Sequence, residues 1–223
     1  MLLEVIAKDE KDVELINKSN ASRIEFCHNL NVGGLTPDYK SISKVMDETE
    51  KPINIMIRPT ARDFVYTDEE FNQMIEDIKF IKTTKANGIV IGILNVDNTI
   101  DFDRMNIVCK TAQGLDITFH KAFDLVVDKM KGISILEKLG VKSVLTSYGE
   151  NIVENIDKLY ELMQEANELN IIAGGGINFS NVKKIKPNVD EIHVGTAVRQ
   201  NNSFDDPVSI DLINEMKKLI DEN

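Results

Sequence analysis

His120, Lys121 and Asp124 fall within five positions, directly after the strand-forming run Ile117-Thr118-Phe119. A titratable cluster where a strand gives way to a helix is the arrangement of a working site in an α/β protein. A histidine of ordinary pKa, roughly 6.5, can move a proton at neutral pH. Two other strand-like runs carry groups of complementary use. Glu25 lies in Arg23-Ile24-Glu25-Phe26-Cys27, and Arg58 follows Ile53-Asn54-Ile55-Met56-Ile57. Together Glu25, Arg58, His120 and Asp124 form a candidate acid–base set. A carboxylate beside an arginine is expected to stay ionised. Asp124 either orients the His120 ring or caps the next helix, and the sequence leaves both roles open. Charged residues inside a barrel also form structural ion pairs, and Glu25 with Arg58 is a candidate for one. Their joint appearance at strand ends favours chemistry.

A second group suits an anion. Gly174-Gly175-Gly176 lets backbone N–H groups approach a ligand closely, with a helix expected just beyond. Gly195-Thr196 is expected beside it, and Ser147 closes a neighbouring strand. A glycine run also makes tight strand-to-helix turns, but loops after the last two strands of a barrel are a usual phosphate position. His193 is expected to point into the wall and satisfy a carbonyl. Arg62 and Asp63 read as a solvated pair. Cys27-His28 offers two metal donors, yet adjacent strand residues point to opposite faces, so both cannot face inward. Cys27 and Cys109 read first as small hydrophobes, and the chain has no C-x-x-C or M-x-x-M cluster.

The elements that must hold these residues follow from periodicity. Strands are expected at Leu2 to Ile6, Arg23 to Cys27, Ile53 to Ile57 and Gly88 to Leu94. Four more are expected at Asp116 to Phe119, Ser143 to Ser147, Ile171 to Ala173 and Glu191 to Val194. Apolar residues at helical spacing separate them. Asp9, Thr36-Pro37, Thr67 with Glu70, and Asp101 are the expected helix starts. One long helix is expected from Ile152, and the last from near Asp206-Pro207. Strict alternation of eight strands and eight helices argues for a single-domain (β/α)8 TIM barrel over residues 1–223, with a doubly wound open sheet as the alternative. No G-x-G-x-x-G follows the first strand, which weighs against the latter. Strands one and four are expected to bring little polar cargo to the rim.

Composition excludes some partners. The 223 residues carry a formal charge of −11, a field that repels nucleic acid and anionic membrane surfaces. Apolar runs are strand-length, so no membrane span is expected. The N-terminus lacks a basic n-region and does not read as a signal peptide. Two cysteines cannot form a disulfide framework, which fits a reducing, cytoplasmic setting.

Several segments together resemble the CutC family of copper homeostasis proteins, nearly end to end. Arg23-Ile24-Glu25-Phe26-Cys27 is similar to that family's R-I-E-L-C, and Gly33 to Pro37 to its G-G-L-T-P. Ile57-Arg58-Pro59, Asp63-Phe64-Val65-Tyr66, Thr118 to Asp124, Leu145-Thr146-Ser147 and Ala173 to Ile177 match further motifs. Three places differ. Thr60-Ala61-Arg62 stands where R-G-G is usual, Lys121 replaces an arginine, and Tyr148 follows Ser147 where glycine is usual. The resemblance implies a cytoplasmic barrel, homo-oligomeric, that binds Cu(I) through Cys27. The residues themselves suggest an alternative: an enzyme handling a small phosphorylated or carboxylated metabolite by acid–base chemistry. Cu(I) is the one cofactor or cargo implied, and a copper ion or a small anion the expected partner.

Overall fold

The computed structural model describes residues 1–222. Eight parallel strands close into one barrel in chain order, each bonded to its sequence neighbours. They are β1 (Leu2–Ala7), β2 (Arg23–Phe26), β3 (Ile53–Met56), β4 (Gly88–Ile91), β5 (Asp116–Phe119), β6 (Ser143–Thr146), β7 (Asn170–Ala173) and β8 (Glu191–Val194). Eight α-helices alternate with them: α1 (Glu10–Asn17), α2 (Tyr39–Glu48), α3 (Asp68–Ile81), α4 (Phe102–Thr111), α5 (Lys129–Lys138), α6 (Ile156–Glu165), α7 (Val182–Ile185) and α8 (Ile210–Asp221). No described helix is long and apolar enough to cross a membrane.

The period of two along each strand sorts the side chains. Leu3, Val5, Ile24, Phe26, Ile53, Ile55, Ile89, Ile91, Ile117 and Phe119 join the apolar layer shared with the helices. Their neighbours face the barrel axis, and many are polar: Glu4, Arg23, Glu25, Asn54, His120 and His193 are all buried. Glu4 pairs in register with Arg23 on one side and His193 on the other. The interior is therefore an ion-paired floor. Strand one supplies Glu4 to its centre, below the rim to which this strand is expected to bring little polar cargo.

Helix starts follow local capping chemistry. Asp9 accepts from the Asp12 N–H at 2.9 Å. Thr67 and Glu70 satisfy each other's backbone donors in a capping box. Asp101 accepts from Arg104 N–H at 3.0 Å. Three boundaries differ from the sequence reading. Thr36 does not cap α2. Its hydroxyl accepts from the Arg58 N–H at 2.8 Å, and Asp38 caps the helix instead. The long helix after β6 is divided into a 3₁₀ turn, Ile152–Asn155, followed by α6. Ser209, not Asp206-Pro207, caps α8. At α2 and α8 a polar side chain within reach of an orphan N–H sets the start, whereas Asn155 before α6 makes no side-chain cap bond.

Charges taken from water need partners, because an unpaired one leaves a large desolvation penalty. Arg23 donates to both Glu4 and Glu191 in the floor. Arg199, about 1% exposed, ties α1 to the end of β1 and the loop after β8. It donates to Asp12 at 2.6 Å, to Ile6 O at 2.8 Å and to Asp206 O at 2.7 Å. Arg23→Leu leaves the buried Glu191 without its cation and Glu4 with His193 alone, and is expected to remove about 3–5 kcal/mol of stability in urea unfolding. A loss below about 1 kcal/mol would mean that the floor is not ion-paired as described.

Candidate functional site

The C-terminal ends of the strands surround a cavity of about 550 Å³. Glu25, Cys27, Arg58, His120, Lys121 and His193 all line it, together with Gly175, Gly176, Gly195 and Thr196. Glu25 sits at the bottom through the inward register of β2. His120 is the first residue past β5, and its N–H donates to Ile91 O at 3.0 Å, which extends the β4–β5 ladder.

A relay runs through the floor. His193 Nδ1 lies 2.8 Å from Glu4 Oε1, and His193 Nε2 lies 3.5 Å from Glu25 Oε2. His193 therefore links two carboxylates rather than satisfying a wall carbonyl, which corrects the sequence expectation. Burial works against a charged His193, but Glu25 and Glu4 outweigh it and raise its pKa. Burial also opposes ionisation of Glu4, but Arg23 and then His193 overcome it and hold the carboxyl near 2. Glu25 is different. Burial dominates and pushes it up to about 7, because no arginine contacts it directly. Arg58 was the expected partner that would keep Glu25 ionised. Its guanidinium instead donates to Val32 O and Gly34 O at 2.9 and 3.1 Å, pinning the loop after β2. Glu25 Oε1 and Arg58 Nε are buried without a protein partner.

His120 is also not the half-charged histidine that its type suggests. Its Nδ1 accepts from the Ala122 N–H at 3.2 Å, so the ring proton belongs on Nε2, which has no protein partner. Burial, and then the charge of Arg58, push its pKa down to about 3. The ring is wedged in place. Phe64 packs on it with centroids 4.9 Å apart. A Cβ on Gly92 would stand 2.6 Å from two ring atoms, so the close approach requires glycine there.

Asp124 neither orients His120 nor caps α5, whose cap is Asp128. It accepts from Thr146 Oγ1, from the Ser147 N–H at 3.1 Å and from Lys121 Nζ at 2.6 Å. Its job is to hold Lys121 and the end of β6. Lys121 in turn reaches Ser147 and stands over the glycine loop, where a Cβ on Gly175 would come within 2.5 Å of Nζ.

The glycines divide by physical role. Gly174 and Gly195 are tight packing points, the first against Leu145 and His193, the second against Phe204 and Ile6. Gly175 and Gly176 adopt left-handed φ of 89° and 94°. The Gly174 N–H is occupied by Thr146 O at 3.1 Å. The N–H groups of Gly175, Gly176, Gly195 and Thr196 donate to no protein acceptor among the described residues. No helix starts directly beyond the glycines. Residues 177–181 intervene, and α7 has only four residues. Backbone N–H groups and Lys121, not a helix terminus, make this corner electropositive.

Cys27 faces inward, whereas His28 turns outward to within 4.0 Å of Asp38. The thiol is buried with Met56 and Val90. Burial, and then the nearby Glu25, push its pKa well above the usual thiol range. Glu4, Glu25 and His193 bring donor atoms within 4.8 Å of one another, a spacing that could hold a metal. Arg23 and His193 already occupy Glu4, so this trio reads as a relay. The departures also resolve. Arg62 turns away from the cavity to Glu70, Asp63 and Val65 O. Tyr148 sits at a φ of 62°, the left-handed conformation for which glycine would be the unstrained choice.

The family model for CutC matches residues 1–198. The chain belongs to the CutC family. A CutC family protein from Pasteurella multocida is 37% identical over 87% of this chain and 81% of its own. Another, from Glaesserella parasuis, is 35% identical over 94% of this chain and 87% of its own. A Streptococcus agalactiae structure, named CutC for copper homeostasis, superposes with a TM-score of 0.82. It is 35% identical and covers 88% of this chain and 98% of its own. The Streptococcus agalactiae relative shares the barrel.

Sequence reasoning missed Glu4, Glu191 and the paired role of His193. The signal was present as the lone Glu4 of β1 and the alternating Glu191 and His193 of β8, but linking them requires the strand register.

A buried carboxyl with a raised pKa gives a signed prediction. A protonated Glu25 stabilises the fold relative to a charged one. That contribution is full below about pH 4.5 and is lost as pH rises through about 7. Glu25→Gln carries no charge to bury. It is expected to melt several degrees above wild type at pH 8.5, with the gap closing near pH 5, as measured by calorimetry. Equal melting temperatures at both pH values would show that Glu25 titrates normally.

Proposed function

We propose that the protein is an acid–base enzyme acting on a small phosphorylated or carboxylated metabolite at the barrel mouth. The observation that carries this reading is the electropositive corner. Four unpaired backbone N–H groups, those of Gly175, Gly176, Gly195 and Thr196, border the same cavity as the Lys121 ammonium. Oriented N–H groups and one cation are what a phosphate or carboxylate needs. The protein's formal charge of −11 makes a local positive corner selective, because the rest of the surface repels anions. Glu25, poised near neutrality, supplies the proton-transfer group. A cytoplasmic setting belongs to this proposal and accords with two unpaired cysteines, one of them buried.

Inorganic phosphate titrated into the protein tests the corner. Lys121→Met is expected to weaken phosphate binding about tenfold or more, while the fold, held elsewhere, keeps its circular dichroism. Phosphate affinity that is the same in both proteins would count against the site.

A second reading, Cu(I) as cargo, is favoured by one observation. Cys27 and Met56 share a cluster at the cavity wall, and a Cβ on Gly34 would lie 3.2 Å from Cys27 Sγ and 3.7 Å from Met56 Cε. A thiolate and a thioether are soft donors that Cu(I) prefers. Burial opposes loss of the thiol proton, which the metal would have to displace. An anaerobic Cu(I) titration against a competing chelator decides. Tight one-to-one binding that disappears in Cys27→Ser and weakens in Met56→Leu supports copper cargo. Binding that ignores both substitutions removes it.

A further inference from the structure

We infer that the cavity enolises a small phosphorylated carbonyl compound: Glu25 takes the proton beside the carbonyl, and the His120 Nε2–H holds the carbonyl oxygen. The inference rests on the anion-binding reading above and specifies its chemistry.

Three buried polar atoms on residues that line one cavity lack a protein partner among the described residues: Glu25 Oε1, His120 Nε2 and Arg58 Nε. Buried polar atoms are nearly always satisfied, so exceptions gathered at one cavity point to a ligand that completes them. Glu25 and His120 have complementary chemistry. His120 Nδ1 is committed to the Ala122 N–H, so the ring has no free lone pair with which to act as a base. Its Nε2–H can only donate. A neutral imidazole that cannot readily be charged suits an oxygen on which negative charge develops. The Glu25 carboxylate can accept a proton and return it, and its Oε1 is the oxygen that no protein group satisfies. A carboxylate base paired with a neutral imidazole donor serves proton abstraction next to a carbonyl. Lys121 is ion-paired with Asp124 at 2.6 Å and stands over Gly175, which places it as a point charge for the phosphate.

The step balances without an added reactant. The C–H bond beside the carbonyl breaks, and its proton passes to Glu25. The electron pair forms the C=C bond of an enolate, and the carbonyl π pair moves onto the oxygen held by His120. Return of the proton to the same face of that carbon regenerates the substrate. In a 2-hydroxy carbonyl compound, the hydroxyl proton can first move to the other oxygen. Return of the carbon-bound proton to the neighbouring carbon then interconverts aldehyde and ketone. His193 and Glu4 are positioning residues. They hold Glu25 from behind, through the 3.5 Å contact to its Oε2, and leave Oε1 to the substrate.

Two probes separate this inference from the reading beneath it. Inorganic phosphate reports the anion corner alone. Phosphoglycolohydroxamate carries a phosphate and mimics an enediolate. Calorimetric titration is expected to show the hydroxamate binding at least about 100-fold tighter than phosphate, as an intermediate analogue should. His120→Gln and Glu25→Gln are each expected to erase most of that margin while leaving phosphate affinity within about twofold. In the wild-type protein, the His120 Nε2–H proton resonance is expected to shift with the hydroxamate and not with phosphate. This readout needs no substitution in the floor. Equal affinity for the two probes, or a margin that survives both substitutions, overturns enolisation and leaves the anion reading standing. Failure of both probes to bind overturns both.

Discussion

The barrel depends on charges that are paired below and left free above. Arg23 neutralises Glu4 and Glu191, and Glu4 in turn holds His193. Below the cavity, these contacts compensate the cost of placing several ionisable groups away from water. Glu25 stands at the top of the same network and receives only a long contact, 3.5 Å from His193 Nε2. The network thus ends in an incompletely satisfied carboxyl facing a cavity. That asymmetry separates a structural ion cluster from a site prepared for a ligand.

The rest of the mouth repeats this division between anchoring and exposure. Arg58 looks like a ligand-binding cation but spends its Nη groups on backbone carbonyls of two loops. Asp124 looks catalytic but holds Thr146, Ser147 and Lys121. The Gly175 and Gly176 N–H groups remain without a protein acceptor among the described residues, and Lys121, held by Asp124 and Ser147, stands over Gly175. His120 belongs to both classes. One nitrogen is fixed by the backbone, the ring is clamped by Phe64 and Gly92, and the second nitrogen has no protein partner. A catalytic donor needs this kind of preorganisation, because reorientation during reaction would cost energy.

Copper and acid–base chemistry make different demands on the same wall. Cys27 and Met56 are the soft donors, and they sit in an apolar cluster with Val90. Glu25 raises the cost of a Cys27 thiolate nearby. The family name speaks for copper, whereas the electrostatics around Glu25, His120 and Lys121 speak for a small anion. Both sets lie on one rim: Cys27 follows Glu25 by two residues at the end of β2, Met56 ends β3, and His120 and Lys121 follow β5.

The sequence by itself determined the barrel. Eight short runs with outward Ile, Val and Phe, separated by amphipathic helices, leave few other ways to bury both faces. Caps such as Thr67 with Glu70 were legible because a capping interaction spans only three residues. Glu25, His120 and the glycine loop were legible as strand-end cargo. Which of these groups touch was decided only by the tertiary structure. Glu4, Glu25 and His193 come from strands β1, β2 and β8, and no local pattern sets the register that joins them. The same closure buries His120 and Glu25 enough to move their pKa values in opposite directions. Desolvation and distant charge act through space, so the protonation states that decide the chemistry appear only once the barrel closes.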